Sequence, residues 1–552
     1  MTSRHPNGMR NYLSRRMFLG GTAAAAAAAA LAVESSAQAA TTSKTAITGP
    51  VRIDTGLVEG VAADLNGVTV FKGIPFAATT AGANRWRPPQ PAPSWTGVYT
   101  ADTFGDACPQ TSLSGATLDI PMSEDCLNLN VWTAAASQNE RRPVFVWIYG
   151  GRFVGGYGSM AEFDGSGLAR KGLVVVTLNY RTASYGFLST PELTQEGHGA
   201  SGNYGLLDQI AAMRWVQRNI AAFGGDPGNV TIAGQSAGSA SVLNHVFSPL
   251  SKGLFHRAIL ESGAFYPKDP QIGALATSYR TLEHAEALGT EWMTTVGVST
   301  VEEARALSTD ALLTGLSDDD TAIATVASID GYPPVWRPVL DGWVMPLSYW
   351  DTMITGSQND VPIINGNNKD ENGAEPDLSV TEAAFQTWAD TYYTPLAEEF
   401  LDLYPVTSDA EGGPQTDAAI VDRDRVSAHD WAVLWAQHAK SPVYTYYWTH
   451  AVPGQDMGAY HGSEINYVFD NLYDTDDPWT TADYTIANTL SDYVVNFATT
   501  GDPNGGGLPR WVPTNAKDQK VMELGDAWGP VPIATPEKAA FYRRFFSLQP
   551  PW

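Results

Sequence analysis

The chain has 552 residues and a formal net charge of -26, with 59 acidic against 33 basic side chains. A surface this acidic repels nucleic acid and anionic lipid, so the composition argues against a nucleic-acid-binding protein. Only two cysteines occur, and no Cys/His cluster has the spacing of a zinc site, so no metal is expected.

Residues 1–39 have the features of an export signal. Ser14–Leu19 resembles a twin-arginine motif, the Ala-rich run Gly20–Val33 follows it, and Ala37–Ala39 is a small-residue cleavage site. The alternative is an N-terminal membrane anchor, but the run is too short and too rich in alanine to span a bilayer comfortably. We therefore predict cleavage near Ala39, secretion of the mature protein and no stable membrane insertion.

The remaining residues, 48–550, contain no Gly/Ser-rich linker, repeat or low-complexity tract, and we predict one domain with helical insertions. Val51–Phe76 alternates short apolar segments with glycines, which predicts an antiparallel β-meander. Pro143–Ile148 and Leu173–Tyr180 are apolar runs typical of buried strands, and Gly205–Ile220 has apolar residues at helical spacing.

Cys108 and Cys126 are 18 positions apart. In an exported protein, an even pair at short spacing predicts one disulfide, which would stabilise the fold by roughly 3 kcal/mol. The alternative is a pair of buried free thiols. Catalysis by cysteine has little support in either case.

The most informative stretch lies in the middle of the chain. Val230–Ala233 is a short β-branched run typical of a buried strand, and Ala237–Val242 has the small residues of a tightly packed helix. Between them stands Ser236, flanked by Gly234 and Gly238. Glycines at this spacing allow a sharp strand-to-helix turn that exposes the serine hydroxyl, an arrangement typical of a nucleophilic serine.

Strands and helices continue to alternate after this turn, which predicts an α/β fold. Its central sheet should be mostly parallel, with helices on both faces and the active site at the carboxyl ends of the strands. The later predicted elements are a strand at Ala258–Gly263, amphipathic helices between 274 and 328, a strand at Val361–Gly366, helices at Thr381–Tyr404 and Arg423–Ala439, a strand at Val443–Thr449 and a helix at Ala482–Thr499. Within the helical part, Asp318–Asp320 could bind calcium, although a solvated loop is the simpler interpretation.

A serine nucleophile needs a base and a carboxylate that orients the base. In this architecture the chain order is serine, acid, histidine. The histidines after Ser236 are His245, His256, His284, His429, His438, His450 and His461. Only His461 lies on a glycine-flanked loop just past a strand. Glu371 lies just after a predicted strand, in the same position that Ser236 has after its own strand. Glu371 is therefore the predicted acid.

Several long motifs, in the right order, resemble the type-B carboxylesterases. Phe223–Gly238 and Glu124–Val131 resemble the two signatures of that family, while Asn368–Glu371 and His461–Ile465 resemble its acid and base segments. The likeness runs from about Gly56 to Trp511. It implies the α/β-hydrolase fold and hydrolysis of small-molecule carboxylic esters without a cofactor.

The resemblance also implies the roles of individual residues. Ser236 would be the nucleophile, His461 the general base and Glu371 the orienting acid. The oxyanion hole would consist of the backbone N–H groups of Gly151, Arg152 and Ala237. Two polar pairs carry over as scaffold, namely Arg85 with Glu124 and Arg181 with Asp208.

Three positions depart from the family pattern. Arg152 stands where the family has a third glycine, so it would be strained if the loop requires a positive φ. Its guanidinium either pairs with nearby carboxylates or lines the pocket mouth and attracts acidic substrates. Gln235 replaces a glutamate of the cholinesterases, and the loop between the two cysteines has no Trp. Both differences argue against choline esters.

We expect esters with a small or medium acyl group to be the substrates. A lipase acting on long-chain lipid esters is the nearest alternative, and it predicts a rate increase when substrate forms an interface. A non-catalytic binding module on the same fold is a further alternative, but such modules lack a complete triad. The sequence leaves the oligomeric state open.

Overall fold

The computed structural model describes residues 46–113, 115–323 and 331–552. The predicted export signal lies outside these ranges. Within them, none of the helices combines the length and the apolar character that crossing a bilayer requires.

Sixteen strands occur in the described ranges. In chain order they are β1 (Val51–Ile53), β2 (Gly56–Glu59), β3 (Val61–Ala62), β4 (Thr69–Pro75), β5 (Val98–Thr100), β6 (Asn128–Thr133), β7 (Arg142–Ile148), β8 (Val174–Leu178), β9 (Gly225–Gln235), β10 (Arg257–Glu261), β11 (Arg280–Thr281), β12 (Val339–Leu340), β13 (Ile363–Asn368), β14 (Val443–Trp448), β15 (Lys520–Leu524) and β16 (Gly529–Pro532).

Fourteen α-helices accompany these strands in the described part of the chain. They are α1 (Ser166–Arg170), α2 (Ala183–Phe187), α3 (Pro191–Glu196), α4 (Tyr204–Asn219), α5 (Ala237–Phe247), α6 (Leu282–Thr295), α7 (Val301–Ala306), α8 (Tyr349–Thr355), α9 (Glu382–Tyr392), α10 (Ala397–Leu403), α11 (Asp409–His438), α12 (Ile465–Phe469), α13 (Thr481–Thr500) and α14 (Pro536–Ser547).

Eleven strands form the central sheet, in the order β16-β15-β14-β13-β10-β9-β7-β8-β6-β4-β3. The six neighbouring pairs from β15 to β8 are parallel, and the pairs at the two ends are antiparallel. The predicted mostly parallel sheet is therefore confirmed. Parallel strands are covered on both faces, and accordingly every residue of β8 and β13 is buried.

The predicted N-terminal meander is divided between two sheets. β1 and β2 pair antiparallel and join β5 in a separate three-stranded sheet, whereas β3 and β4 form one end of the central sheet. A Cβ atom at Gly60 would lie 2.8 Å from the carbonyl oxygen of Val70. The chain thus passes from one sheet to the other at a point where only glycine fits.

Covalent and ionic links hold the loops around the sheet. Cys108 and Cys126 form a disulfide, and both are fully buried. The Arg85 guanidinium donates to both carboxylate oxygens of Glu124, at 2.7 and 2.5 Å. The predicted scaffold pair of Arg181 and Asp208 has the same bidentate geometry and is also buried, which fixes the chain after β8 onto α4.

Five strands that are adjacent in space, β14, β13, β10, β9 and β7, run parallel. Their carboxyl ends therefore lie along one edge of the sheet. The loops that leave this edge carry all of the predicted catalytic and oxyanion residues. The topology thus brings together residues that are up to 310 positions apart in the sequence, from Gly151 to His461.

Candidate active site

Ser236 occupies a strained turn between β9 and α5. Its backbone has φ 59° and ψ -125°, a combination that costs a residue with a side chain on the order of 1–3 kcal/mol. The two flanking glycines are required by close approach: a Cβ atom at Gly238 would lie 2.0 Å from the carbonyl oxygen of Ile148, and one at Gly234 would lie 2.6 Å from the same oxygen. The turn is further held by the Ser236 amide, which donates to the Glu261 carbonyl at 2.8 Å.

The loop after β7 lies against this turn. A Cβ atom at Gly150 would come within 2.6 Å of the Gln235 carbonyl oxygen and 3.1 Å of the Ser236 Cβ. Gly151, Arg152 and Phe153 then have φ values of 93°, 56° and 62°. Within the described residues, the amide groups of Gly151, Arg152 and Ala237 donate no hydrogen bond.

Arg152 has a φ of 56°, so the condition under which a residue other than glycine would be strained at this position is met. Its guanidinium Nη2 donates to Asp319 Oδ1 at 2.6 Å and to the Tyr332 carbonyl oxygen at 3.0 Å. Of the two interpretations given for this side chain, the structure shows pairing with a carboxylate. The prediction of a solvated acidic loop is wrong for Asp320, which is buried and accepts a hydrogen bond from Arg337.

Glu371 and His461 meet across two loops. Glu371 Oε2 accepts a hydrogen bond from His461 Nδ1 at 2.5 Å, and Oε1 accepts one from the Asn368 amide at 2.8 Å. The loops are joined by a β-bridge between Asp370 and Tyr460. The pair is therefore held by the backbone on both sides, with the Glu371 side chain 15% exposed and the His461 side chain 42% exposed.

The electrostatics of this pair favour the charged forms. Burial alone would raise the pKa of Glu371. The neighbouring His461 and the hydrogen bonds that the Glu371 carboxylate accepts outweigh burial and lower this pKa below its ordinary value. Partial burial opposes protonation of His461, yet Glu371, and Glu464 behind it, raise the pKa of the imidazole above its ordinary value. The imidazolium that forms when His461 accepts a proton is therefore stabilised.

The nucleophile and the base segments also contact each other. The Gln235 side-chain amide lies 3.6 Å from the position of a Cβ atom at Gly462, so the neighbours of Ser236 and His461 are packed together. Within the described residues, the Ser236 hydroxyl makes no hydrogen bond. Such contacts are often loose in the absence of substrate and tighten when it binds.

Other histidines also have polar partners, so pairing alone does not identify the base. His245 is buried between Gln209 and Ser251, and burial lowers its pKa to about 3. His429 bonds Asp430, and His284 bonds Asp320. These side chains belong to the helices α5, α11 and α6 rather than to the loops beside Ser236.

Several buried residues lie behind the pair, and the sequence predicted no role for them. Glu261 and Tyr446 are buried on β10 and β14, close to Glu464. A glutamate at the end of an otherwise apolar strand, in Ala258–Glu261, was the available signal for the first of them. Its environment depends on the pairing of distant strands, which the sequence does not display.

One group of carboxylates in the described ranges could offer ligand atoms to a cation, namely Asp64, Asp164 and Asp474. Asp164 already accepts hydrogen bonds from Trp132, from the Ser166 amide and from Tyr473. None of the predicted catalytic residues belongs to this group, so it has no part in the chemistry considered below.

Known proteins that resemble this chain provide evidence on its family that is independent of the site geometry. The chain matches the carboxylesterase family over residues 48–411 and 415–535. Fumonisin B1 esterase from Sphingopyxis macrogoltabida is 35% identical over 494 residues, which cover 86% of this chain and 86% of that protein. Para-nitrobenzyl esterase from Bacillus subtilis (strain 168) is 34% identical over 454 residues, which cover 80% of this chain and 88% of that protein.

A solved structure agrees with these sequence matches. That of PNB esterase superimposes with a TM-score of 0.73 at 30% identity, covering 89% of this chain and 99% of its own. The chain therefore belongs to the carboxylesterase family, has the α/β-hydrolase fold and is a serine hydrolase of carboxylic esters.

Proposed function

We propose that Ser236, His461 and Glu371 form the catalytic triad of this esterase. The observation that carries the proposal is the hydrogen bond between Glu371 and His461, on loops packed beside the strained turn of Ser236. His461 takes the proton of the Ser236 hydroxyl as the oxygen attacks the ester carbonyl. It then returns the proton to the departing alcohol, which leaves an acyl-enzyme.

Water completes the reaction by the same route. His461 removes a proton from the water molecule that attacks the acyl-enzyme. As the tetrahedral intermediate collapses to release the acid, His461 returns this proton to the Ser236 oxygen. Glu371 keeps Nδ1 of the imidazole protonated, so that Nε2 faces the nucleophile as the base. Every step is a proton transfer or an addition and elimination at one carbonyl carbon.

The oxyanion hole is assigned to the amides of Gly151, Arg152 and Ala237. Their N–H groups have no acceptor among the described residues, and the loop of Gly150 is packed against Ser236. Removal of one such donor costs about 10²- to 10³-fold in kcat. Arg152 contributes its backbone, while its side chain is held by Asp319.

We propose esters with a small or medium acyl group as substrates. The names of the relatives, fumonisin B1 esterase, para-nitrobenzyl esterase and cocaine esterase, show that related chains act on quite different esters. A chain-length series of p-nitrophenyl esters tests the proposal. Highest kcat/KM with long acyl chains, together with a rate increase above the solubility limit, would instead identify a lipase.

Export is the remaining part of the proposal. The twin-arginine motif at Ser14–Leu19 and the small-residue site at Ala37–Ala39 support secretion after cleavage. Mass spectrometry of protein recovered from the culture medium should give an N-terminus near Ala40. An intact chain that begins at Met1 and remains in the cells would contradict this.

The catalytic assignment is tested with Ser236→Ala and a matched serine. Ser236→Ala should abolish turnover of p-nitrophenyl acetate and covalent labelling by an organophosphate. Ser239→Ala is the control, because Ser239 lies three residues further on, in the first turn of α5, and is fully buried. Full activity or full labelling of Ser236→Ala would overturn the assignment.

A further inference from the structure

Four residues lie in register across four adjacent strands behind the triad. Gln235 on β9 is opposite Glu261 on β10, Glu261 is opposite Gly366 on β13, and Gly366 is opposite Tyr446 on β14. Register partners in parallel strands project to the same face of the sheet. Gly366 has no side chain, and a Cβ atom there would lie 2.4 Å from the Tyr446 ring. The Tyr446 ring therefore covers Gly366 and extends towards Glu261.

Glu464 completes a buried cluster with these residues. Glu261 and Glu464 are each 2% exposed. Within the described residues, neither carboxylate oxygen of Glu261 has a hydrogen-bond partner, and the same holds for Oε1 of Glu464, the Tyr446 hydroxyl and the Gln235 side-chain nitrogen. Burial of two ionised carboxylates in this state would be too costly for a stable fold.

The charges that face the cluster come from several elements. Tyr446 on β14, Glu371 on the loop after β13 and His461 on the loop after β14 interact electrostatically with Glu261 or Glu464. Among these groups only His461 can be cationic. Two buried carboxyl groups that interact with each other, one of them with no hydrogen-bond donor among the described residues, cannot both ionise, so one of them retains a proton.

Hydrogen bonding decides which carboxyl group is neutral. Glu464 Oε2 accepts a hydrogen bond from the Asn368 side-chain amide at 2.5 Å, and Glu464 interacts with His461. Glu261 has neither partner, and its burial next to Glu464 raises its pKa well above the ordinary value. The pKa of Glu464 is raised only to about 7. The anionic form therefore belongs to Glu464.

We propose that Glu261 and Glu464 form a proton-sharing pair. In this pair neutral Glu261 donates a hydrogen bond to anionic Glu464, and Glu464 faces His461. Glu464 then acts as a second positioning carboxylate for the imidazolium, alongside Glu371. Glu261 is a positioning residue that holds Glu464 in place without adding charge. The inference rests on the proposed function, because it takes His461 as the base.

The variants test charge and hydrogen bonding separately. Glu464→Gln removes the anion, and the acid limb of the kcat/KM profile should move to lower pH by about one unit. Glu261→Gln keeps a neutral donor and acceptor, so it should leave that limb in place and kcat within about threefold of the parent protein. Glu261→Leu removes the donor and should lower kcat about tenfold, an effect that glutamine at the same position rescues.

Glu523→Gln is the matched control. Glu523 is a half-buried glutamate on β15, outside the cluster, and it accepts a hydrogen bond from Thr449. The proposal is overturned if Glu261→Gln moves the acid limb as far as Glu464→Gln does. It is equally overturned if Glu464→Gln leaves the limb unchanged, or if Glu261→Leu is fully active.

An infrared measurement on the parent protein needs no folded variant. With ¹³C-labelled glutamate, the carbonyl stretch of a protonated carboxyl group should persist at about pH 9. Glu162, whose pKa burial raises to about 7, is ionised under those conditions. Absence of the band overturns the proton-sharing pair even if Ser236→Ala proves the triad. Activity of Ser236→Ala would instead contradict the proposed function and leave the band unaffected.

Discussion

His450 and His461 lie eleven residues apart, both follow β14, and both are paired with carboxylates, yet their surroundings differ in one decisive respect. His450 Nδ1 bonds Asp526 at 2.7 Å and Nε2 bonds Asp483 at 2.9 Å, so both ring nitrogens are engaged. His461 bonds Glu371 through Nδ1 alone. A histidine can act as a base only through a nitrogen that is free to accept a proton, so the contacts of His450 are those of a structural link, whereas His461 keeps the free nitrogen that the proposed base requires.

The largest expected effect is loss of the base. His461→Gln should lower kcat about 10⁴-fold, because it removes the base of the proposed triad. His450→Gln should leave kcat/KM within about threefold and lower the melting temperature, because it removes contacts with Asp483 and Asp526. Steady-state hydrolysis of p-nitrophenyl acetate measures the first effect, and thermal unfolding measures the second. Equal losses of kcat in the two variants would refute the distinction.

The second-largest expected effect is loss of the carboxylate that orients His461. Glu371→Gln should reduce kcat by about 10²- to 10⁴-fold, because an amide cannot stabilise the imidazolium and no longer selects the tautomer that Ser236 needs. Asp526→Asn makes the corresponding change at His450 and should not alter kcat. The comparison requires both proteins to be folded, which circular dichroism checks. An active Glu371→Gln variant would exclude Glu371 as the orienting acid.

A third, smaller effect is the pH dependence of the reaction. His461 must be neutral to accept a proton, and the adjacent Glu371 raises its pKa above the ordinary value. The base form is therefore lost at a higher pH than for a free histidine as the solution is acidified. The acid limb of kcat/KM should have an apparent pKa above about 6.5, and Glu371→Gln should move it down. An acid limb below that value in the parent protein would contradict the ion pair.

The sharp turn at Ser236 could be predicted from the sequence because its signal is local. Gly234 and Gly238 flank Ser236 within one turn, and their spacing indicates the turn even though a Cβ atom at Gly238 would meet the carbonyl oxygen of Ile148 on β7. The strands of the parallel sheet could be predicted equally well, because a strand that is buried on both faces is a continuous apolar run in the sequence, as in β8. Identification of His461 among seven histidines depended on loop signals and on the resemblance to the family.

Features that depend on distant packing could not be predicted in this way. Helix α11 begins at Asp409, well before the predicted Arg423, although Gly412 and Gly413 lie in its early turns. A Cβ atom at Gly412 would lie 2.0 Å from the Val380 carbonyl oxygen, so tertiary contact requires a residue that helix propensity disfavours. The predicted helix Thr381–Tyr404 is likewise divided into α9 and α10. The position of Glu261 between Gln235 and Gly366 is a further case, because strand register creates it.

The smallest expected effect separates the two partners of His450. Asp483 is 2% exposed, bonds Tyr467 and His450, and caps α13 through the amide and hydroxyl of Thr480. Asp483→Asn should therefore lower the free energy of unfolding by about 2 kcal/mol. The Asp526 side chain is 62% exposed, and Asp526→Asn should cost less than about 0.5 kcal/mol.

The difference in stability between the Asp483 and Asp526 variants can be checked by lowering the pH. Burial opposes ionisation of Asp483, but its hydrogen bonds with Thr480, His450 and Tyr467 lower its pKa to about 2. A depressed carboxyl pKa contributes stability that is present above the unfolded-state pKa of about 4 and is lost as the pH falls towards the folded-state value. Urea unfolding at a series of pH values should show the gap between Asp483→Asn and the parent protein closing through that window. A gap that stays constant would mean that Asp483 acts by shape rather than by charge, and that His450 is held mainly by its surrounding rings.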